Sequence, residues 1–233
     1  MKILAVETSG SRESTAVYNN GKITEINKEV KSHSSHLLRT INKVLKKSDT
    51  KLEDLDCLAA SLGPGSFTGI RIGLSTMQGL SLALDIPLLG IPTLDAIAEN
   101  VRNSGLDLRN IKYIFPLILS KGEEIYTAVY IVKNNQLKRK SKFQYISVNE
   151  FFKIFRKYKK PGSIVFFSEA KRFESQINNI LGEKAFILQD KFSFPRAGNV
   201  ALLAVKNIRN KKTKKLVYPS PLYVRPYMIK KTG

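Results

Sequence analysis

The order of secondary structure in the first hundred residues most constrains the fold. Three strands come first, and the NNG turn at 19–21 joins the second to the third, because Asn and Gly accept positive φ angles. Helical apolar spacing then alternates with short buried strands. The predicted strands are 2–8, 14–18, 22–30, 56–61 and 88–91, and the predicted helices begin near Leu37, at Thr68 and at Thr93. The order is therefore β-β-β-α-β-α-β-α.

Three hairpin-linked strands followed by α/β units predict a mixed sheet with an antiparallel edge. This order is that of the ribonuclease-H-like lobe found in actin, sugar kinases and their relatives. The second half adds predicted strands at 113–119, 125–132, 137–145 and 163–167, and helices at 151–155, 173–181 and 200–208. We therefore predict an α/β, two-lobed, actin-like (ASKHA) fold with mixed sheets flanked by helices.

The sequence NSGLDLRN at 103–110 marks the predicted boundary between the lobes. Residues 1–105 form the first lobe and carry the predicted partner-binding helices. Residues 106–233 form a smaller, degenerate second lobe. For the C-terminal helix and tail, packing back on the first lobe is an alternative.

Composition restricts the class of protein. Cys57 is the single cysteine of 233 residues, so neither an internal disulfide nor a thiolate metal cluster is available. The longest apolar runs, such as 3–6, are far shorter than a membrane helix or a signal-peptide core. We therefore expect a cytoplasmic protein that does not enter a membrane.

The formal net charge of +20 has two interpretations. A positive charge of this size would favour contacts with the phosphates of a nucleic acid. Alternatively, frequent Lys, Ile and Asn reflect AT-rich codons, and the lysines are spread along the chain. The densest run, 206–215, is either a solvated helix end and linker or an RNA contact, and the sequence leaves both open.

The glycine-rich residues 61–71, SLGPGSFTGIR, do not have the spacing of a known phosphate-binding loop. A Walker loop needs a Gly-Lys-Ser/Thr sequence after four residues, and no lysine follows Gly65 at that place. For a dinucleotide loop, Gly63, Gly65 and Gly69 are one residue too long, and Pro64 removes an amide donor.

An actin-like ATP site needs two further elements. Glu7, Thr8 and Ser9 would supply the first, an acidic residue and a polar loop after the first strand. The second, a glycine-rich loop in the second lobe, is missing, because the glycines after residue 110 are isolated. We therefore do not expect ATP hydrolysis or a bound cofactor in the isolated chain.

Metal and nucleophile chemistry are not indicated either. His33 and His36 are the only histidines, and HSSH lacks both the glutamate of a zincin motif and a third ligand. A nucleophile elbow has its glycine two residues before the serine, whereas Gly65 directly precedes Ser66. We therefore predict no metal site and no catalytic residue.

The helix predicted after the glycine-rich loop is apolar on nearly every side, which is typical of a helix buried all round. Gly69, Gly73, Gly79 and Ala83 form small-x-x-x-small pairs, which let another helix approach closely. Either the second lobe or C-terminal helix covers it, or a partner subunit docks on it with help from the helix that begins near Leu37.

Three segments carry a resemblance to a known family: ILAVETS at 3–9, the run from LAASLGPGSFTGIR to LDAIA at 58–98, and PLYVRP at 221–226. They resemble the bacterial TsaB (YeaZ) family, most strongly from residue 1 to about 100. Glu7 stands where the family commonly has Asp. His33 matches a His that is common in the family.

The resemblance implies an actin-like fold with a degenerate nucleotide site and a non-catalytic role. Such a subunit pairs with a TsaD-type transferase and with a TsaE-type ATPase, and it meets tRNA through the complex. That complex makes N6-threonylcarbamoyladenosine at position 37 of tRNAs that read ANN codons. The family also forms homodimers through the same helices, and ATP or ADP with Mg would belong to the assembled complex.

The partner is therefore expected on two helices of the first lobe. The expected partner-binding residues are Leu38, Ile41, Leu45, Gly69, Ile70, Arg71, Gly73, Leu74 and Met77. Nucleotide contact at the subunit boundary is expected at Glu7, Thr8, Ser9, Gly63, Gly65 and Ser66. Two other functions stay open, an actin-like small-molecule kinase or ATPase and a basic RNA-binding protein.

Overall fold

A computed structural model describes residues 1–29, 36–120, 122–158, 163–166, 168–182, 185–188, 192–210 and 219–224. Within these residues the α-helices are α1 (Leu37–Lys47), α2 (Phe67–Leu84), α3 (Thr93–Ala98), α4 (Val148–Arg156), α5 (Glu174–Leu181) and α6 (Ala197–Arg209). None of the helices in this described part combines the length and apolarity that crossing a membrane requires.

The first lobe is built on one mixed sheet of β1 (Lys2–Glu7), β2 (Arg12–Asn19), β3 (Lys22–Glu29), β4 (Cys57–Ser61) and β5 (Leu88–Ile91). The strands lie in the order β3-β2-β1-β4-β5. β1, β2 and β3 pair antiparallel, and β4 and β5 run parallel to β1. Asn20 and Gly21 both have positive φ, so they close the hairpin between β2 and β3.

Two layers of helix enclose this sheet. Side chains alternate along β1, so Ile3 and Ala5 face one side and Leu4 and Val6 face the other. α3 and α6 pack on the Ile3 side, whereas α1 and α2 pack on the Leu4 side. The C-terminal helix α6 therefore completes the core of the first lobe, although the second lobe precedes it in sequence.

The second lobe repeats the strand order of the first. Its main sheet contains β6 (Ile111–Phe115), β9 (Tyr130–Lys133), β10 (Gln136–Arg139), β12 (Ser163–Phe166) and β13 (Ala185–Ile187). The order is β10-β9-β6-β12-β13, with β9 antiparallel to β6, β10 antiparallel to β9, and the last two strands parallel to β6. The predicted two-lobed α/β fold with mixed sheets and flanking helices is confirmed.

The strand lengths in the second lobe differ from the prediction. A smaller antiparallel sheet holds β7 (Leu117–Leu119), β8 (Glu124–Thr127) and β11 (Gln144–Ser147). Each long strand predicted from the sequence is therefore two short strands in different sheets. Pro116 separates β6 from β7, because it lacks the N–H that a sheet ladder needs. Apolar residues continue through the first two breaks, at 115–117 and 128–129, so the pattern alone hides them.

The two lobes are joined by apolar and polar contacts around α3. Leu94 packs in one cluster with Ile114 of β6. Asp95 accepts hydrogen bonds from the Tyr130 hydroxyl of β9 and from the Arg139 guanidinium of β10. The second lobe is therefore held to the first by its main sheet.

Candidate functional site

The six expected nucleotide-contact residues lie together at the carboxyl end of β1. Glu7, Thr8 and Ser9 are buried there, and the loop with Gly63 and Gly65 packs over them. Ser66, which follows the loop, is exposed at the start of α2. The sequence prediction thus grouped residues that are also grouped in space.

The polar atoms of this group bond within the chain itself. The Ser9 backbone N–H donates to Glu7 Oε1 at 2.5 Å, and the Thr8 hydroxyl donates to the Gly69 carbonyl oxygen at 2.7 Å. The Ser66 backbone N–H donates to the Ser9 carbonyl oxygen at 2.7 Å. Ser66 Oγ accepts the Gly69 N–H at 3.2 Å and so caps α2.

Two glycines permit the close approach of loop and helix to β1. A Cβ on Gly65 would lie 2.3 Å from the Ser9 carbonyl oxygen. A Cβ on Gly73 would lie 2.3 Å from Thr8 Oγ1. Their missing side chains therefore serve the packing of α2 and its loop against the end of β1.

Several groups that could meet a nucleotide phosphate are engaged within the isolated chain or lack a donor. A phosphate-binding loop turns its backbone N–H groups toward the ligand. Here the Ser66 N–H is bonded to Ser9, and Pro64 has no N–H. Glu7 and Thr8 are buried and hydrogen-bonded to the chain. These groups are thus engaged in hydrogen bonds within the chain, and nucleotide contact at a subunit boundary stays a prediction.

Other reactive groups show no built site. In the part of the chain that the structure describes, no three His, Cys, Asp or Glu side chains are arranged to hold a metal ion. His33 lies outside the described residues, and His36 directly precedes α1. Burial raises the pKa of the Cys57 thiol to about 12, so this thiol stays protonated at neutral pH.

The expected partner-binding residues divide into a buried and an exposed group. Seven of them face the core on the Leu4 side of the first sheet: Ile41, Leu45, Gly69, Ile70, Gly73, Leu74 and Met77. Only Leu38 and Arg71 are exposed. Within the single chain these seven are core residues, because a helix that packs on a sheet turns its apolar face inward, and their role in partner binding stays a prediction.

The opposite side of α2 is exposed. Phe67, Arg71, Ser75, Gly79 and Leu82 lie along it, and we call this set the α2 stripe. Phe67 is 54% exposed and Leu82 is 65% exposed, and the Arg71 guanidinium lies 3.8 Å from the centre of the Phe67 ring. The stripe therefore presents apolar, small and cationic side chains to solvent.

Residues 219–224 lie along one edge of the α2 stripe. The Gln78 side-chain amide donates to the Pro219 carbonyl oxygen at 3.1 Å, and the Arg71 guanidinium donates to the Tyr223 hydroxyl at 3.3 Å. Tyr223 itself is largely exposed. The tail segment therefore adds an exposed aromatic ring to the edge of the stripe.

Phe67, Leu82 and Tyr223 were not among the residues expected at an interface. The helical phase of α2 contains the signal for the first two, because Ile70 and Leu74 define the buried side and Phe67 and Leu82 point away from it. No short-range pattern indicates that Tyr223 returns to α2.

The basic run suggested as an RNA contact is described only in part. Lys206 and Arg209 are exposed at the C-terminal end of α6. Residues 211–215 lie outside the described residues. Their contribution to an RNA contact stays an open expectation.

Comparison with known sequences gives consistent relatives. The family model described as "TsaD: tRNA N6-adenosine threonylcarbamoyltransferase" matches residues 22–229. The tRNA threonylcarbamoyladenosine biosynthesis protein TsaB of Bacillus subtilis (strain 168) is 28% identical over 207 residues, which cover 87% of this chain and 86% of that protein. The protein of the same name from Buchnera aphidicola subsp. Schizaphis graminum (strain Sg) is 34% identical over 165 residues, or 70% and 77% of the two chains.

Comparison with solved structures agrees on the fold. YeaZ from Pseudomonas aeruginosa matches with a TM-score of 0.78 at 20% sequence identity. The match covers 95% of this chain and 99% of that one. It shows that the two chains share the two-lobed fold.

Proposed function

The chain belongs to the TsaB (YeaZ) family and, over residues 22–229, to the wider family described as TsaD, and from that premise we propose that it is a non-catalytic subunit of a tRNA-modifying complex. The complex installs the threonylcarbamoyl group on N6 of adenosine 37 in tRNAs that read ANN codons. The chain pairs with a TsaD-type transferase subunit and activates it. The name of the relatives, tRNA threonylcarbamoyladenosine biosynthesis protein, supports a role in forming this nucleoside.

The α2 stripe is the observation that carries the proposal. Phe67 and Leu82 are large apolar side chains, and each is more than half exposed. On α1, which packs on the same face of the sheet, Leu38 is 58% exposed. Exposed apolar groups clustered on one face are typical of protein–protein interfaces, in which aromatic residues and Arg are enriched. The stripe therefore supports docking of a partner on the first lobe.

The shape of the stripe favours a helix as the docking element. Ser75 and Gly79 lie between the bulky ends Phe67 and Leu82, and a Cβ on Gly79 would have no neighbour within 4 Å. A partner helix would seat over the small residues while its side chains pack against the bulky ones. In this proposal the docking helix belongs to a TsaD-type subunit, and a second copy of this chain would be the alternative occupant.

The contacts at the end of β1 support a subunit without nucleotide chemistry of its own. The backbone N–H of Ser66 and the side chains of Glu7 and Thr8 are committed to bonds within the chain. In this proposal ATP or ADP with Mg, and the TsaE-type ATPase, belong to the assembled complex. The tRNA meets the chain through that complex.

An omission assay tests the proposal. The cognate transferase is supplied with tRNA, ATP, the threonylcarbamoyl donor and the ATPase subunit, with and without this chain, and modified nucleoside is quantified by mass spectrometry. We expect modification to require the chain, and we expect the chain without the transferase to give none. Full activity of the transferase without the chain, or modification by the chain without the transferase, would contradict the proposal.

A further inference from the structure

The β9–β10 hairpin in the second lobe carries a row of lysines on one face. Opposite residues in an antiparallel pair share a face, and the register pairs Ile131 with Lys138 and Lys133 with Gln136. Lys140 follows two residues after Lys138 and is also exposed. The other face carries the buried Leu137 together with Arg139, so the exposed lysines of the hairpin lie on one side.

Two tyrosines lie beside these lysines. Tyr113 of β6 pairs with Ile131 and so belongs to the basic face of the sheet. The Tyr158 ring, just after α4, meets the Tyr113 ring edge-on with 4.6 Å between centroids. The Lys140 ammonium lies 5.6 Å from the centroid of each ring. Both tyrosines are half-buried, so part of each ring is accessible.

No ion pair between described residues neutralises the charge of this surface. Lys112 is exposed and its ammonium lies 5.8 Å from the Tyr113 ring. Among the ion pairs between described residues, none involves Lys112, Lys133, Lys138 or Lys140. Arg139, on the other face of the hairpin, is paired with Asp95. We call the four lysines together with Tyr113 and Tyr158 the lysine–tyrosine patch.

We propose that the lysine–tyrosine patch binds RNA, with the lysines on backbone phosphates and the tyrosines against an unstacked base. Aromatic rings stack on bases of any sequence, and adjacent cations track the phosphate backbone. The net charge of +20 adds long-range attraction for a polyanion. An acidic protein segment would use the lysines but would gain little from the paired rings. The inference rests on the proposed function, in which tRNA is the substrate of the complex.

Direct binding to the full chain tests the patch. Fluorescence anisotropy with a labelled, unmodified tRNA transcript compares wild type with K138E/K140E across a series of salt concentrations. The matched control is K206E/R209E at the end of α6, which changes net charge by the same amount and probes the other basic run. We expect K138E/K140E to bind roughly tenfold more weakly and to flatten the slope of log affinity against log salt by about 1.5.

A third variant isolates the rings from the charges. Tyr158→Leu keeps an apolar side chain but removes the stacking surface, so affinity should fall about tenfold with an unchanged salt slope. Thermal unfolding of each variant checks that the fold is retained. Wild-type affinity in K138E/K140E, or an equal or larger loss in K206E/R209E, would overturn the proposal.

This measurement is separate from the test of the proposed function. It uses the chain without transferase or ATP, so it gives a result whether or not the chain supports tRNA modification. Loss of RNA affinity in K138E/K140E with no effect of the chain on modification would refute only the proposed function. Unchanged affinity together with chain-dependent modification would refute only the RNA-binding patch.

Discussion

Gly65 and Gly79 occupy the same stretch of sequence but have opposite surroundings. A Cβ on Gly65 would collide with the Ser9 carbonyl oxygen, whereas a Cβ on Gly79 would meet solvent. At the scale of the residue, the sequence therefore indicates that the glycines of this stretch matter to the structure. It does not indicate which of them cannot be replaced. That distinction depends on the approach of β1, which local pattern does not encode.

This contrast predicts opposite effects of one substitution. Gly65→Ala should lower the free energy of unfolding by more than about 1 kcal/mol, because main-chain atoms of Ser9 must shift. Gly79→Ala should raise it by up to about 1 kcal/mol, because alanine is the better helix former. Urea unfolding measures both. A destabilised Gly79→Ala or a neutral Gly65→Ala would refute the assigned packing.

Asp95 of the first lobe is bonded to the second lobe, and the pKa of its carboxyl is raised. Burial raises the pKa of its carboxyl, although hydrogen bonds from Tyr130 and Arg139 favour the charged form. Burial also raises the pKa of Tyr130 well above its ordinary value, so the phenol remains the donor. The folded state therefore holds the Asp95 proton more tightly than the unfolded chain does.

A pH dependence follows from this shift. A carboxyl with a raised folded-state pKa contributes stability that is fully present below its unfolded pKa of about 3.9 and is lost as pH rises through the folded value. Asp95→Asn removes this contribution. The stability of wild type relative to Asp95→Asn should therefore increase as pH falls from neutral toward about 4. Urea unfolding of both proteins across that pH range measures the two free energies of unfolding. If wild type lost stability relative to Asp95→Asn on acidification, the raised pKa of Asp95 would be contradicted.

At the scale of elements, α2 shows what periodicity predicts and where it fails. The apolar spacing predicts this helix and a start at Thr68, one residue after the observed start at Phe67. The sequence did not show which side of α2 is buried and which is exposed, because apolar residues occur on nearly every side. Burial by the sheet, a tertiary effect, decides that Met77 is enclosed and Leu82 is not.

A pair of alanine variants measures this division. Met77→Ala should lower the free energy of unfolding by about 2–5 kcal/mol, because the side chain is fully buried. Leu82→Ala should change it by less than about 0.5 kcal/mol, because the side chain is 65% exposed. Thermal or urea unfolding gives both values. Comparable losses in the two variants would show that the helix is oriented differently.

At the scale of the whole molecule, the sequence predicts the two-lobed fold better than it predicts the arrangement of strands and helices within each lobe. Strands and helices of the first lobe follow from hairpin and helix signals that act over a few residues. The second lobe was harder, because its chain passes repeatedly between two small sheets at places such as Pro116. The packing of α6 against β1 joins residues that are distant in sequence, and no local signal specifies it.

The central claim is that a partner docks on the α2 stripe. The most direct test measures the affinity of the cognate transferase subunit for two charge variants of this chain. Leu82→Glu places a charge on the stripe, and Leu202→Glu places one at a partly exposed leucine of α6, on the other side of the first sheet. In calorimetric titrations, we expect Leu82→Glu to weaken binding at least about tenfold and Leu202→Glu to bind like wild type. Wild-type affinity in Leu82→Glu, or an equal loss in both variants, would contradict the account.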